Sequence, residues 1–466
     1  MALSGGQNGK KRCGVTELPD CILESIVSLL PLKAAVETSL VCPQWRHLSR
    51  PILKRRNLEF DYLNVFGITY PNHDHDHDVE KMRRDFVRCV DKFLQQYEGN
   101  KVDSFKLLHC FLFPEYHAIL DGWIRFAITK GVEQVDLRPS LCSNPQDYYL
   151  FPHRLLSEQL SAGSPLNLKY LSLENCTLRP PLDFHGFNQL TTLHLNQVMV
   201  GPSLMENLFS VCPLLESLTL NWCQMTRPSH LNVVAGDRLT DLKVLNCNEG
   251  TKLEISALNL ASLEYIPCYF SRFVSMKTPR LERIYFSDTR VRGTILPKAL
   301  VQFALCPGLE ILHLQMPGET FRFRSLPAFG NLKLLNLSID VTRFYRKDKD
   351  DLDPVCVLHL LEAAPVLEEL VMTVNGLSDL SWTNDQRAMM IPSRFTHDHL
   401  KLVTMQSFKA NWYQLALAIC ILENTPNLQM MVVAIDQSAN MYSKQHIGVV
   451  QVKLMGVKTN AQIIYL

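Results

Sequence analysis

The residues best equipped for chemistry in this 466-residue sequence are an alternating run, His73-Asp74-His75-Asp76-His77-Asp78. Its imidazoles and carboxylates are donors that a divalent cation takes. A metal site also needs a rigid surrounding shell, and the flanking residues supply none. The run is therefore expected to be a solvated loop, with no metal and no other cofactor. Fourteen cysteines stand between Cys13 and Cys420 without a C-x-x-C pair, against a zinc ribbon or a thioredoxin-type centre. G-x-S-x-G, H-E-x-x-H and G-x-G-x-x-G are all missing, and GGQNGKK from Gly5 lacks the spacing and final Ser or Thr of a phosphate loop. No catalytic residue is expected, and the chain reads as a protein without chemistry of its own.

Charge narrows the partners. Lys+Arg 47 against Asp+Glu 46 gives a formal net charge of +1, too little for a field that would draw in nucleic acid or an anionic membrane. The cluster Lys54-Arg55-Arg56 reads as a solvated face. MALSGGQNGKKR has no apolar signal stretch, and LALAICIL from Leu415 to Leu422 is too short to cross a bilayer. The chain is expected inside the cell, in cytoplasm or nucleus, its cysteines serving as buried apolar fillers.

Three short helices open the chain, in LPDCILESIVSLLPLKAAVETSLVCPQWRHLSRPIL from Leu18. Pro19 suits a first helical position, Asp20 faces the positive end of the dipole, and Pro31 stops the helix. Ile22, Leu23, Ile26, Leu29 and Leu30 share a stripe. A second helix is expected from about Lys33 to Leu40, and a third from Pro43, with Trp45 and Leu48 on one face. About forty residues seldom hold a core unaided. The set Leu18, Pro19, Leu29, Leu30, Pro31 and Leu32 exceeds what such a module can bury, which points to a docking surface for another protein.

The LPD opening, the I-L-x-x-I-x-x-x-L-P-L-K core and the S-L-V-x-x-x-W-R-x-L close resemble an F-box, although Cys42-Pro43-Gln44 stands where many relatives have a basic pair. The resemblance implies that the module binds an Skp-type adaptor, which connects it indirectly to a cullin. By motif match the adaptor-facing residues would be Leu18, Pro19, Ile22, Leu23, Ile26, Leu29, Leu30, Pro31 and Leu32, with Val41 and Trp45 nearer the internal core.

Further along, VEKMRRDFVRCVDKFLQQY is an amphipathic helix: Phe86, Val87, Val90, Phe93 and Leu94 recur at the helical period, leaving Glu80, Lys81, Arg83, Arg84, Asp91 and Lys92 to solvent. It would serve as a first cap or lie beside one. Then L-x-x-L-x-L segments recur from Leu168, Leu190, Leu215, Leu239, Leu281, Leu309, Leu332 and Leu367, with degenerate copies at Val132, Leu263, Leu400 and Leu428. Spacings of about 22 to 28 residues fit leucine-rich repeats. Longer gaps mark inserted loops. Within each L-x-L the leucines point to one side of a short strand, and Cys176, Cys223 and Cys247 fill the turn after it. The intervening residues face out on a parallel sheet: Tyr170, Ser172, Glu174, Thr192, His194, Asn196, Ser217, Thr219, Asn221, Asp241, Lys243, Arg283, Tyr285, Ser287, His313 and Gln315. This polar surface of mixed sign suits protein recognition. The target-binding candidates are Tyr170, Glu174, His194, Asn196, Asn221, Lys243, Arg283, Tyr285 and His313.

Near the C-terminus, H-L-K-x-V at His399 to Val403 and I-L-E-N-x-P-x-L at Ile421 to Leu428 resemble the FBD segment of plant F-box leucine-rich-repeat proteins, with Ala410 where a glycine is usual. The fold class expected is α+β and multidomain. Residues 1–14 would be a disordered tail, 15–60 a three-helix F-box, 61–100 a linker with the amphipathic helix, 101–390 an α/β leucine-rich-repeat solenoid, and 391–466 an FBD-like C-terminal repeat and cap. The resemblance implies the substrate-recognition subunit of an Skp-cullin-F-box E3 ubiquitin ligase, binding its adaptor and an unnamed target protein. The alternatives are an F-box protein acting with its adaptor outside a ligase, and a small-molecule-dependent receptor.

Overall fold

The computed structural model describes residues 19–41, 52–68, 77–110, 114–139, 147–163, 165–225, 230–235, 237–248, 251–268, 271–288, 295–317, 326–340, 355–375, 396–409, 412–435, 448, 451–452 and 454–466. The chain divides into two compact units, Met1–Leu190 and Thr191–Leu466. Among the described residues no helix is long and apolar enough to cross a membrane.

In the first unit, helix α1 spans Asp20–Leu29 and α2 spans Leu32–Val41. Pro19 is the residue before the helix rather than its first member, and its carbonyl accepts from Ile22 and Leu23. Leu30 is extended, at φ −74° and ψ 150°, because the proline after it excludes the helical region. The expected third helix, with Trp45, lies outside the described residues, as does the run His73–Asp76.

These helices do not stand alone on their forty residues. Leu23, Val27, Ala35 and Ile52 form a buried cluster, against which Leu30, Leu32 and Phe93 pack. Ile52 and Phe93 come from later in the chain. The residues expected to be a linker hold α2 directly: helix α3 (Tyr62–Phe66) is capped by Asp61, its Asn64 Oδ1 accepts from the Leu32 N–H at 2.5 Å, and its Phe66 carbonyl accepts from Lys33 Nζ at 2.8 Å. Gly67 closes α3 at φ +69°, where a Cβ would meet Lys33 Cδ at 3.0 Å. Glycine meets both constraints at the least cost.

Helix α4 (His77–Gln95) buries Phe86, Val87, Val90 and Leu94 as the periodicity requires. Arg83, expected in solvent, is buried instead, with Nη1 3.5 Å from Glu80. Helix α5 (His117–Thr129) sends the Trp123 indole N–H to Asp91 of α4 at 2.9 Å.

A parallel ladder runs through Asn57–Phe60, Ser104–Cys110, Gln134–Pro139 and Tyr170–Glu174. Leu58, Phe105, Val135 and Leu171 share one register row, Phe60, Leu107, Leu137 and Leu173 another, and all eight are buried. The ladder therefore begins at Asn57, inside the stretch assigned to the F-box, and α3 and α4 both lie in the connection between its first two strands.

Between these strands, Glu133 accepts from Lys101 at 2.5 Å and Lys169 at 3.0 Å. The two ammonium hydrogen bonds hold its carboxyl down at about 2, against about 4.3 in an unfolded chain. A depressed acid stabilises the fold above the unfolded value and loses that contribution as pH falls toward 2. Glu133→Gln should therefore destabilise the first unit at pH 7 by no more than about 1 kcal/mol, the site being near the surface, and the gap to the parent should close below pH 3. Denaturant unfolding at several pH values measures both.

In the second unit the ladder comprises Thr192–Asn196, Ser217–Asn221, Asp241–Leu245, Ser262–Ile266, Arg283–Ser287, Ile311–Pro317, Leu334–Asp340, Glu369–Asn375, Leu402–Phe408, Met430–Ile435 and Gln462–Tyr465, all parallel. Inward residues stack in register, as in Leu195, Leu220, Val244, Tyr265, Phe286 and Leu314, each buried. The FBD-like stretch supplies the last rungs. Its I-L-E-N-x-P-x-L residues end the helix Trp412–Asn424 and lead into Met430–Ile435, while Ala410 lies outside the described residues.

Early strand exits repeat one turn. Gln197, Trp222 and Asn246 are left-handed, at φ +53°, +51° and +50°. Each N–H reaches the strand of the next repeat, at the carbonyls of Asn221 (2.8 Å), Leu245 (2.8 Å) and Ile266 (2.7 Å). Cys223 and Cys247 follow, buried, with Sγ donating to the carbonyls of Leu195 at 3.3 Å and Leu220 at 3.5 Å. The cysteine is small enough to enter the stack and satisfies a backbone acceptor there.

The other side of the repeats alternates between helices and strands. Leu296–Ala304, Val355–Ala363 and Trp412–Asn424 are helices, whereas His230–Ala235, Lys252–Ala257 and Arg272–Lys277 form a second parallel sheet. The register pairs Leu263 with Leu242, so the first leucine of that copy is Leu260, and Leu239, Leu260 and Leu281 stand closer together than Leu281 and Leu309. The shorter connection has room for an extended segment, and alternating apolar residues such as Leu253 and Ile255 fit it.

Candidate functional site

The first candidate surface is the outer side of α1. Ile22 and Ile26 are one turn apart and share a face, with 44% and 37% of their surface exposed. Pro19 and Pro31 are exposed as well. Leu23, expected to face an adaptor, is 4% exposed and belongs to the internal cluster. The helix turns by about 100° per residue, so Leu23 and Val27 look inward while Ile22 and Ile26 look out. Leu30 and Leu32 are half-buried against that cluster. Leu18 and the Leu29 side chain lie outside the described residues.

The second candidate surface is the outward face of the ladder. In the first unit, Glu59, Lys106 and Asp136 share a register row with Ser172. Arg138 forks onto Asp136 with Nε at 2.9 Å and Nη2 at 2.8 Å. That hydrogen bonding, with the charge of Glu174 nearby, raises the guanidinium's pKa. Tyr170 and Glu174 are half-buried beside this pair, but Ser172, expected to face out, is buried. The degenerate copy at Val132 carried the signal for Asp136 and Arg138, since its intervening positions hold them.

In the second unit, Thr192, His194, Asn196, Ser217, Thr219, Asn221, Asp241 and Lys243 are all half-buried on the outward face. Asn221 Nδ2 donates to Asn196 Oδ1 at 2.9 Å, Ser217 Oγ to Asp241 at 3.2 Å, and Lys243 pairs with Glu264 at 2.9 Å. The hydrogen bond from Lys243 to Glu264 raises the ammonium's pKa. On the next rungs Arg283 is exposed and makes no ion pair among the described residues. Tyr285 lies 6.4 Å from the His313 ring, and its hydroxyl reaches Gln315 at 3.4 Å. Burial lowers the pKa of His313, favouring the neutral ring. Ser287, expected outside, is buried and donates to Gln315 at 2.8 Å.

The later rungs depart from the polar expectation. Ile311, Leu334, Val371, Leu402, Met430 and Val432 hold outward positions and are half-buried. The repeats starting at Leu309, Leu332, Leu367, Leu400 and Leu428 place apolar residues where earlier copies have polar ones, so the signal was present. Trp222, exposed at the exit of Ser217–Asn221, was also missed, because it sits one residue past the alternation. Among the described residues no group of three or more His, Cys, Asp or Glu gathers to hold a metal ion.

Residues 15–55 match the family model described as F-box domain, and residues 93–458 match the one described as At1g61320/AtMIF1, LRR domain. Three relatives come from Arabidopsis thaliana. Putative F-box/FBD/LRR-repeat protein At4g03220 is 26% identical over 293 residues, 60% of this chain and 53% of that protein. F-box/LRR-repeat protein At3g03360 is 26% identical over 239 residues, 49% and 42% respectively. F-box/FBD/LRR-repeat protein At1g13570 is 25% identical over 370 residues, 78% and 76%. The matched part of the chain thus spans about half the length of the first two relatives. With an F-box at its start and the repeat model over most of the remaining residues, the chain belongs to the plant-type F-box/leucine-rich-repeat/FBD family.

Proposed function

We propose that this chain is the substrate-recognition subunit of an Skp-cullin-F-box E3 ubiquitin ligase, with no catalytic residue of its own. The observation that carries the reading is the bare Ile22–Ile26 pair on α1. Folding fills the inner side of these helices from the chain's own Ile52 and Phe93 yet leaves the outer isoleucines in water. Such a patch is a docking surface. Pro19, Ile22, Ile26 and Pro31 are its centre, and Leu30 and Leu32 its edge. The adaptor bridges to the cullin, the ladder holds a target protein, and the F-box spans the residues before Asn57. The subunit then acts by raising the effective concentration of the charged enzyme at the target's lysines.

The test is assembly from purified full-length chain, an Skp-type adaptor and a cullin. The cullin should be retained only when the adaptor is present. An adaptor complex that excludes the cullin would instead support action outside a ligase, and failure to retain the adaptor would sink the reading.

A further inference from the structure

Trp222 is at odds with the fold that holds it. Its backbone is left-handed, at φ +51°, a region that bulky residues avoid and asparagine visits readily. The other strand exits with this turn carry Asn175, Gln197 and Asn246. Ser407 has the same conformation near the end of Leu402–Phe408, so the others are all polar and unbranched at Cβ, and the tryptophan is the one aromatic side chain held in this strained region among the described residues. Packing does not compensate: the side chain is 54% exposed and makes no hydrogen bond or ring contact among the described residues. Strain kept at an exposed aromatic points to a purpose outside the fold.

Its surroundings define what it would take. Asn196 pairs in register with Asn221, and Asn221 with Leu245, so Gln197, Trp222 and Asn246 follow on consecutive rungs. Such rungs lie about 4.8 Å apart. The side-chain amides of Gln197 and Asn246 make no hydrogen bond among the described residues, whereas their backbone N–H groups are committed to the ladder. On the neighbouring rungs Lys243 pairs with Glu264, while Asp241, at the opposite end of its strand from the exit, accepts from Ser217. The edge thus presents one indole between two amides, each amide able to donate and accept, and neither these three positions nor the Asn196, Asn221 and Leu245 before them carry a charge. That pattern complements an uncharged peptide: amides for its main chain and an indole for an apolar or proline side chain.

We infer that Trp222 is the anchor of target contact, stacking on an uncharged peptide segment whose main chain is bound by Gln197 and Asn246. This rests on the reading that the repeats select a protein target. The test uses the full chain with its adaptor, a displayed library of random dodecapeptides, and a glycan array in parallel. Enriched peptides should be uncharged at their centre. Trp222→Asn should weaken them by about thirtyfold, the scale of an aromatic hot spot, while its melting temperature stays equal to the parent's or rises. Trp222→Phe should lose only a few-fold. Unchanged peptide binding by Trp222→Asn, a lower melting temperature, a charged consensus, or glycan rather than peptide capture would each overturn the assignment. If Trp222→Asn binds normally but Arg283→Ala or Tyr285→Ala does not, the anchor fails and the target reading survives. If no peptide is enriched although the adaptor complex assembles, the anchor and the target reading fail together.

Discussion

Replacing Ile22 and Ile26 together by aspartate should reduce adaptor affinity at least about a hundredfold, near 3 kcal/mol, without changing the melting temperature of the chain. Both side chains are already in water in the free protein, so two carboxylates there are solvated and cost the fold little. In a complex the same positions would be closed off, and burying an unpaired carboxylate is far costlier than losing a methyl contact. Leu23→Asp provides the contrast. At 4% exposure, beside Val27, Ala35 and Ile52, its charge would disrupt the helices themselves. Titration calorimetry with the adaptor, paired with circular dichroism of each variant, separates the two cases. Tight adaptor binding by the Ile22/Ile26 double variant would remove α1's outer face from the interface.

That pair also shows how far the sequence could be read. Periodicity placed Ile22, Leu23, Ile26 and Leu29 on one broad stripe, but it could not say which edge of the stripe turns inward. That is decided by Ile52 and Phe93, which reach the cluster from far along the chain. Alternation within L-x-L did reveal the ladder and most of its outward residues, because a period of two leaves each strand only one buried face. It failed at Ser172 and Ser287, whose burial comes from neighbouring rungs. It also failed at Asn57–Phe60, a four-residue strand without a leucine frame around it. The sheet of His230–Ala235, Lys252–Ala257 and Arg272–Lys277 was hidden for another reason: the repeat pattern fixes the ladder strand and leaves the returning segment open, so connection length selects strand or helix. Trp222 was illegible because its meaning lies in its φ, and φ enters no count of apolar spacing.

Phe286→Ala should destabilise the second unit by about 3–5 kcal/mol, while Tyr285→Ala, one residue earlier, should shift stability by about 0.5 kcal/mol or less. The two side chains leave the same strand on opposite faces. Phe286 is fully buried, with its ring centroid 5.5 Å from Phe303 of the helix Leu296–Ala304 and 5.9 Å from Tyr265 on the neighbouring strand. Phe303 in turn meets Phe273 of the outer sheet at 5.9 Å. Removing Phe286 would open a cavity where ladder, helix and outer sheet meet, and three differently built layers have little freedom to collapse into it. Tyr285 is 37% exposed, and its hydroxyl makes only a long 3.4 Å contact to Gln315. Its loss should appear in target capture rather than in denaturant unfolding. Were Tyr285→Ala as destabilising as Phe286→Ala, the outward row would be structural, and the case for a recognition surface on these rungs would go with it.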